Sequence, residues 1–124
     1  MSIPCRKLVR DRIPEIIQSE GGVPFTRVLD EVSYREALLT KLIEEAGEAS
    51  HASAADLPGE LADVLEVLRA LIVAVGTSWD QLVLLADDKR SRRGGFGKRI
   101  FLEYVELGGS TRPNRFAVLE DLKT

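Results

Sequence analysis

The sequence contains few cysteine, histidine or aromatic residues. It has one cysteine and one histidine in 124 residues, and aromatic residues make up 6% of the chain. The lone cysteine, Cys5, cannot form a disulfide within the chain, so nothing in the sequence requires an oxidising compartment. The first residues, MSIPCRKLVRDRIPEII, also lack the apolar segment of a secretory signal. We therefore expect a cytoplasmic protein in which Cys5 has no chemical role.

Long apolar runs are missing as well. The longest, Ala70 to Val75, is far shorter than the ~20 residues that a membrane-spanning helix requires. Apolar residues nevertheless make up 44% of the chain, which is enough to fill a core without disulfides or a structural metal. These features predict a single folded domain, residues 1–124, with no membrane partner.

Local start and stop signals predict two long helices in the middle of the chain. Ser33 and Glu36 form a capping box at the start of a helix that runs to about Ala52. Asp56 is the expected cap of a second helix, which ends near Val75 just before a glycine. The connection between them is short, so the two helices should form an antiparallel hairpin.

A third long helix and a short one flank this hairpin. The third helix starts at a capping box of Ser78 and Gln81 and stops at the Gly94-Gly95 pair. The short helix covers Arg12–Ser19 and ends at a pair of glycines. The predicted chain is therefore dominated by helices.

Two segments show the weak alternation of short strands. Phe25–Leu29 and Lys98–Val105 carry β-branched or aromatic residues and are candidates for a small two-stranded pairing. The predicted fold class is all-α: an antiparallel helical hairpin plus a third helix, with this minor pairing at most.

The second long helix has more apolar surface than its own chain can cover. Its apolar residues occupy well over half of the helix circumference: Leu61, Val64, Leu65, Val67, Leu68, Leu71, Ile72 and Val75. The other helices of one chain are too few to surround it, so either the two candidate strand segments or a second subunit must cover the remainder, and symmetric pairs are the commonest oligomers. We therefore expect a homodimer whose shared core is a four-helix bundle, with a tetramer as the alternative.

Acidic residues recur at helical spacing on both helices of the predicted hairpin. The first helix carries Glu44, Glu45 and Glu48 on one ridge, with Glu45 at the edge of its apolar stripe. The second carries Glu60 inside its apolar arc and Asp63 at the edge of that arc. An antiparallel hairpin brings Glu45 and Glu48 opposite Glu60 and Asp63, in a partly buried space.

Such a cluster requires neutralisation. Burying an unpaired charge costs several kcal/mol, and a bound cation would remove that cost. An all-oxygen ligand set suits a hard ion, and Mg²⁺ in particular keeps coordination positions open for water and phosphate. The alternative is an ordinary solvated acidic face, which is the usual role of an EExxE run taken alone.

Three cations are candidates for binding phosphate. Lys41 lies one turn before Glu45, and Lys89 and Arg93 lie one turn apart on the third helix, where we expect them to point toward the core. Each has a structural alternative. Lys41 can form an ion pair with Glu45, and the other two can complement the negative end of their helix.

The acidic motifs, EExxE followed by ExxD, resemble those of the all-α nucleoside triphosphate pyrophosphohydrolases of the MazG and phosphoribosyl-ATP pyrophosphohydrolase superfamily. They stand here as EEAGE from Glu44 to Glu48 and ELAD from Glu60 to Asp63. The opening KLVRDRIPEII and the later RRGGFGKRI are similar to a subgroup of house-cleaning enzymes for non-standard nucleotides. The resemblance extends over most of the chain before residue 103.

This resemblance implies hydrolysis between the α and β phosphates, giving a nucleoside monophosphate and pyrophosphate. It implies Mg²⁺, with Mn²⁺ as a substitute, held by Glu45, Glu48, Glu60 and Asp63. It implies phosphate contacts from Lys41, Lys89 and Arg93. Glu44 and Glu45 are the candidate catalytic residues, Glu44 as a base or as a group that orients the ligands. The aromatic candidates for contacting the nucleotide base are Tyr34, Trp79 and Phe96.

Other functions stay open at this point. A phosphoribosyl-ATP pyrophosphohydrolase would use the same carboxylates. A di-iron carboxylate protein would use the ExxH formed by Glu48 and His51, doubled in a dimer together with Glu60. A nucleic-acid-binding helical dimer would use the basic stretch from Lys89 to Arg99. The net charge of −3 and the lack of interleaved aromatics beyond Phe96 in that stretch argue against nucleic acid.

Overall fold

Helices form the secondary structure of this chain. The computed structural model describes residues 1–106 together with Glu120 and Leu122. Within these residues there are four α-helices and no strand: α1 (Ile13–Ser19), α2 (Glu31–His51), α3 (Leu57–Ala74) and α4 (Trp79–Arg93). The predicted all-α fold class is confirmed. None of these helices has the length and apolar character to cross a bilayer.

The helical hairpin of α2 and α3 contains the core. The two helices pack against each other across a short connection, residues 52–56. Leu38 of α2 lies between Val67 and Leu71 of α3, and all three side chains are buried. Three half-buried apolar residues pack against them: Leu8, Leu42 and Ala70. The first of these comes from the N-terminal segment, which is thereby fixed to the hairpin.

Helical spacing explains which positions of the hairpin are covered. Residues three and four apart share one side of a helix. On α2, one such row is buried or half-buried: Leu38, Leu42, Glu45 and Ala49. On α3, the corresponding row is Glu60, Val64, Val67 and Leu71. In each row the residues far from the connection are apolar, and a carboxylate lies near the connection.

The start of α2 corrects one prediction. The capping box of Ser33 and Glu36 is wrong, because the helix begins earlier, at Glu31. Asp30 is the cap: its backbone is extended (φ −70°, ψ 172°) and its carboxylate accepts the N–H of Ser33 at 2.8 Å. Asp and Ser are similarly good N-caps, and the negative charge of Asp also favours the helix N-terminus.

This cap predicts a pH dependence of stability. The hydrogen bonds from Ser33 lower the pKa of Asp30 below its ordinary value of 3.8. The ionised cap therefore stabilises the fold above pH 3.8, and this contribution is lost as the pH falls through the lowered pKa. Asp30→Ala should lower the Tm by a few degrees at pH 7 but have little effect in strong acid, as measured by circular dichroism. Asp30→Asn, which keeps an N-cap oxygen, should retain most of the stability at pH 7. An equal loss in both variants would contradict the capping role.

The start of α3 corrects a second prediction. The side chain of Asp56 makes no capping hydrogen bond, and its backbone is helical (φ −88°, ψ −19°). The hydroxyl of Ser53 instead accepts the N–H of Asp56 at 3.2 Å. The other signals of this helix are confirmed: Pro58 lies in its first turn, and Gly76 follows its end with a left-handed φ of 76°.

The start of α4 is as predicted, but its packing is not. The N–H of Gln81 donates to the hydroxyl of Ser78 and the N–H of Ser78 donates to the side-chain oxygen of Gln81, both at 3.1 Å. This confirms the capping box. Lys89 and Arg93 were expected on a core-facing side, and that expectation is wrong: both are exposed, and no residue of α4 is buried within the described chain.

The minor strand pairing is also wrong. Neither Phe25–Leu29 nor Lys98–Val105 forms a strand. Most of their large apolar side chains, including Phe25, Val28 and Phe101, are exposed. A two-stranded pairing is marginal without a face packed on a core, and these segments have no such face in the described chain.

The chain divides into two compact units. The first, residues 1–88, contains α1, α2, α3 and most of α4, and the second, residues 89–124, contains the end of α4. The core cluster and the acidic motifs both belong to the first unit. Beyond Glu106, the predicted domain of residues 1–124 lies outside the described residues, apart from Glu120 and Leu122.

Candidate metal centre

Three carboxylates converge at the connected end of the α2–α3 hairpin. One oxygen each of Glu45, Glu60 and Asp63 lies within 4.8 Å of the others. Glu45 comes from α2 and the other two come from the first turns of α3. The prediction that the two acidic motifs face each other is therefore confirmed for these three residues. We call them the acidic triad.

The position of each triad member follows from the helical rows that pack together. Glu45 is seven residues after Leu38 in the same covered row, nearer the connection. Glu60 is seven residues before Val67 on the opposing helix and is half-buried. Seven residues are about two turns, so the packing that buries the leucine and valine also covers the two carboxylates. The triad thus continues the contact between the covered rows of α2 and α3, which we call the seam.

Burial leaves two of its oxygens without a partner. Glu45 is only 9% exposed. Its Oε2, and Oε2 of Glu60, are buried and accept no hydrogen bond from any described residue. An unpaired buried carboxylate oxygen is costly, because it has lost its water without gaining a donor. Two such oxygens on facing helices are a place where a cation would be stabilised.

The electrostatics of Glu60 agree with this geometry. Burial raises the pKa of Glu60 above its ordinary value of 4.5, and the neighbouring charges of Glu48, Asp63 and Glu45 raise it further. Both causes oppose the ionised form. A cation bound between the helices would have the opposite effect and favour ionisation.

Two cations partly neutralise the negative charge of the acidic triad. Nζ of Lys41 lies 3.4 Å from Oε1 of Glu45 and 3.6 Å from Oε2 of Glu44. Nη2 of Arg10 lies 2.8 Å from Oδ1 of Asp63. Three carboxylates therefore share two cations, and Glu60 is the triad member that forms no ion pair within the described part of the chain.

Two predicted site residues lie beside the triad. Glu48 is exposed and is not one of the three clustered carboxylates, although its charge contributes to the raised pKa of Glu60. Glu44 is half-buried and forms an ion pair with Lys41. The expected ligand role of Glu48 and the expected catalytic role of Glu44 remain predictions.

The predicted phosphate-binding residues have different surroundings. Lys41 forms the intrahelical ion pair that was its structural alternative, and its phosphate-binding role remains a prediction. Lys89 and Arg93 are exposed near the end of α4 and belong to the second unit, residues 89–124. Their predicted phosphate contacts are likewise untested by this geometry.

Arg10 was missed by the sequence reasoning. It pairs with a carboxylate 53 residues away, and no helical periodicity covers the segment that contains it. The available signal was weak: an apolar Leu8 two residues earlier, which turns out to pack on the core. The aromatic candidates Tyr34, Trp79 and Phe96 are all exposed.

The di-iron alternative gains no support from the geometry. His51 is exposed, and its Nδ1 lies 2.8 Å from the carbonyl oxygen of Gly47 in the preceding turn. Within the described residues it does not join any group of potential metal ligands.

We therefore predict that His51→Ala leaves bound metal and turnover nearly unchanged, because an oxygen-ligand site does not use the imidazole. Metal content by mass spectrometry and steady-state rates check this. Loss of metal in the variant would restore the ExxH interpretation.

The triad's chemistry fits a hard divalent ion. Opposite oxygen ligands of Mg²⁺ are about 4.2 Å apart, twice its usual bond length. The triad oxygens lie within 4.8 Å of one another, so a modest contraction would let them share one ion. Three carboxylates would also leave coordination positions open for water and phosphate.

Comparison with known proteins gives a partial match to a curated relative. Over 50 residues the chain is 46% identical to an uncharacterized protein of Mycolicibacterium smegmatis. The matched segment makes up 40% of this chain and 51% of the relative. The chain therefore spans about half the length of that relative. No model of a known protein family matches the chain, and no solved structure matches it.

Proposed function

We propose that this chain is a Mg²⁺-dependent nucleoside triphosphate pyrophosphohydrolase that cleaves between the α and β phosphates. The observation that carries the proposal is the pair of buried, unpartnered Oε2 atoms of Glu45 and Glu60 beside Asp63. The resemblance of the EExxE and ExxD motifs to the MazG-like superfamily supports the reaction type. A house-cleaning role toward non-standard nucleotides in the cytoplasm is the corresponding biological proposal.

Glu45, Glu60 and Asp63 would hold the cation, with Glu48 as a fourth ligand from the exposed side. When bound, Mg²⁺ supplies charge neutralisation for the phosphates and lowers the pKa of water. Lys41 orients the carboxylate of Glu45 through their 3.4 Å ion pair. The chain thus prearranges the ligands before substrate arrives.

Glu44 is the proposed proton acceptor. Its Oε2 is held by Lys41 at 3.6 Å, next to the triad but outside it, so it remains available to take a proton from the attacking water. Glu44→Gln should therefore reduce turnover without weakening metal binding.

Product analysis tests the proposal. Standard, deoxy and oxidised nucleoside triphosphates and phosphoribosyl-ATP should be incubated with the full chain and Mg²⁺, Mn²⁺ or a chelator. Pyrophosphate release from at least one substrate, absent with chelator, is the expected result. Release of orthophosphate instead, or no metal-dependent release from any of them, would overturn the proposal. Phosphoribosyl-ATP as the preferred substrate would favour the alternative activity.

A homodimer is part of the proposal. The hairpin helices leave large apolar side chains exposed, and Ile43 of α2 and Val73 of α3 are 76% and 78% exposed. The exposed apolar side chains of both helices are the ones that we propose a second chain covers. We predict a mass of about 27 kDa, twice the 13.7 kDa of one chain, by light scattering at micromolar concentration. A monodisperse species at the mass of one chain would contradict this.

A further inference from the structure

The N-terminal segment carries a guanidinium to the acidic triad. Leu8 packs against the buried cluster of Leu38, Val67 and Leu71, which fixes the segment on the hairpin. Two residues later, Nη2 of Arg10 donates to Oδ1 of Asp63 at 2.8 Å. The segment therefore brings a cation from outside both acidic motifs to one edge of the site.

The two cations beside the triad differ in how far they are available to a ligand. Lys41 is only 19% exposed and is held between two carboxylates, Glu44 and Glu45. The Arg10 side chain is 59% exposed, and it forms an ion pair with a single carboxylate oxygen of Asp63. A guanidinium has five N–H donors in a planar fork. Arg10 can therefore keep its bond to Asp63 and present further donors to a second acceptor.

The stability of the fold does not account for this arrangement. An exposed ion pair contributes little to folding, because solvent screens it and ordering two long side chains has an entropic cost. A planar fork next to a carboxylate cluster is, in contrast, well suited to phosphate, which it can contact through two parallel hydrogen bonds. A polyphosphate that completes the coordination of a cation on the triad would lie near all three carboxylates, and Arg10 is the cation paired with one of them, Asp63.

We infer that Arg10 binds a phosphate group of the substrate while remaining positioned by Asp63. This inference rests on the proposed function and extends it, because it assigns a substrate contact to a residue outside the EExxE and ExxD motifs. The ligand chemistry is a polyphosphate complexed with a divalent cation. Arg10 would then couple the metal site to the charged end of the nucleotide.

Calorimetric titration with inorganic pyrophosphate at saturating Mg²⁺ tests the inference on the full chain. Arg10→Ala should weaken pyrophosphate binding about tenfold or more, a typical effect of losing a hydrogen bond to a charged group. Arg10→Lys should recover part of the affinity, because it keeps the charge but not the fork. Arg12→Ala is the matched control, since Arg12 pairs locally with Glu15 and should leave binding unchanged.

A second titration, with Mn²⁺ alone, separates the outcomes. We expect Arg10→Ala to bind Mn²⁺ at least as tightly as wild type, because a competing cation has been removed from Asp63. Pyrophosphate affinity within twofold of wild type would overturn the inference and leave Arg10 as a competitor of the metal. An equal loss of Mn²⁺ and pyrophosphate binding would also overturn it, since Arg10 would then only position Asp63. Absence of pyrophosphate binding to wild type would overturn it as well.

A different experimental result would contradict the proposed function. If wild type binds magnesium pyrophosphate in an Arg10-dependent manner but releases no pyrophosphate from any nucleoside triphosphate, the binding inference stands and the hydrolase proposal falls. If wild type is an active pyrophosphohydrolase and Arg10→Ala has an unchanged KM and pyrophosphate affinity, the hydrolase proposal stands and the binding inference falls. Circular dichroism of each variant confirms that the chain is folded in every comparison.

Discussion

Replacing Glu60 by glutamine is expected to reduce Mg²⁺-dependent pyrophosphate release by at least about 100-fold, because even groups one shell beyond a metal change activity by up to that factor. The same substitution should leave the metal-free protein at least as stable as wild type. Glutamine keeps the shape of the side chain and removes the charge that burial and four neighbouring carboxylates oppose. Loss of function with retained or improved stability is characteristic of a residue kept for its chemistry.

The pH dependence of this stability difference has a defined sign. Because the folded-state pKa of Glu60 is raised above 4.5, ionisation in the fold costs stability as the pH rises from about that value through the raised pKa. Wild type should therefore lose stability relative to Glu60→Gln over this window. The difference in Tm between the two proteins, measured without metal, should be largest at neutral pH and vanish below pH 4.5.

Glu66→Gln is the matched control on the same helix. Glu66 is exposed and pairs with Arg69 one turn away at 3.6 Å, so its loss should change neither activity nor Mg²⁺ binding. Added Mg²⁺ should raise the Tm of wild type and of this control but have little effect on Glu60→Gln. Full activity in Glu60→Gln would remove the metal-site proposal, and a marked loss of metal-free stability would instead assign Glu60 to a structural interaction.

Replacing Leu38 by alanine should cause the largest loss of stability. Leu38 is 3% exposed and packs between Val67 and Leu71 at the centre of the core cluster. Removing a buried leucine side chain costs about 2–4 kcal/mol, from lost burial and from the cavity that remains. For a chain of this length that corresponds to a fall in Tm of roughly 10 °C.

Thermal and urea denaturation of Leu38→Ala can be compared with Leu84→Ala. Leu84, on α4, is 68% exposed in the chain, so its truncation should change stability by no more than about 0.5 kcal/mol. A small effect at Leu38 would show that the α2–α3 seam is not the stabilising core. A large effect at Leu84 would show that another chain covers α4.

Much of the fold was predictable because its boundaries depend on local chemistry. Gly76 and Gly94 follow the ends of α3 and α4 in left-handed conformations that glycine adopts readily. The Ser78–Gln81 box needs only residues three positions apart. The start of α2 was misassigned because Asp30 and Ser33 are both good caps, and their preferences are too similar for sequence to separate them.

The candidate site was predictable only where helical geometry determines it. The phase of Glu60 within an apolar arc predicted its burial, and the short connection predicted that Glu45 would face it. The separation of Glu48 from the triad depends on side-chain conformations that the spacing does not define. Arg10 depends on how a non-helical segment crosses the hairpin, which is a long-range contact without a local signal.

With the proposed cation bound, the shared seam of leucine, valine and carboxylates would link the persistence of the fold to the supply of ions. The described chain buries only four large apolar side chains, and the same helical rows end in buried negative charge. A cation that binds only the closed hairpin acts as a removable crosslink, and its contribution grows with the free ion concentration. Ion depletion would therefore increase the population of opened hairpin, the form that proteases degrade. We expect the lifetime of this protein in a cell to follow magnesium availability even when no nucleotide is present.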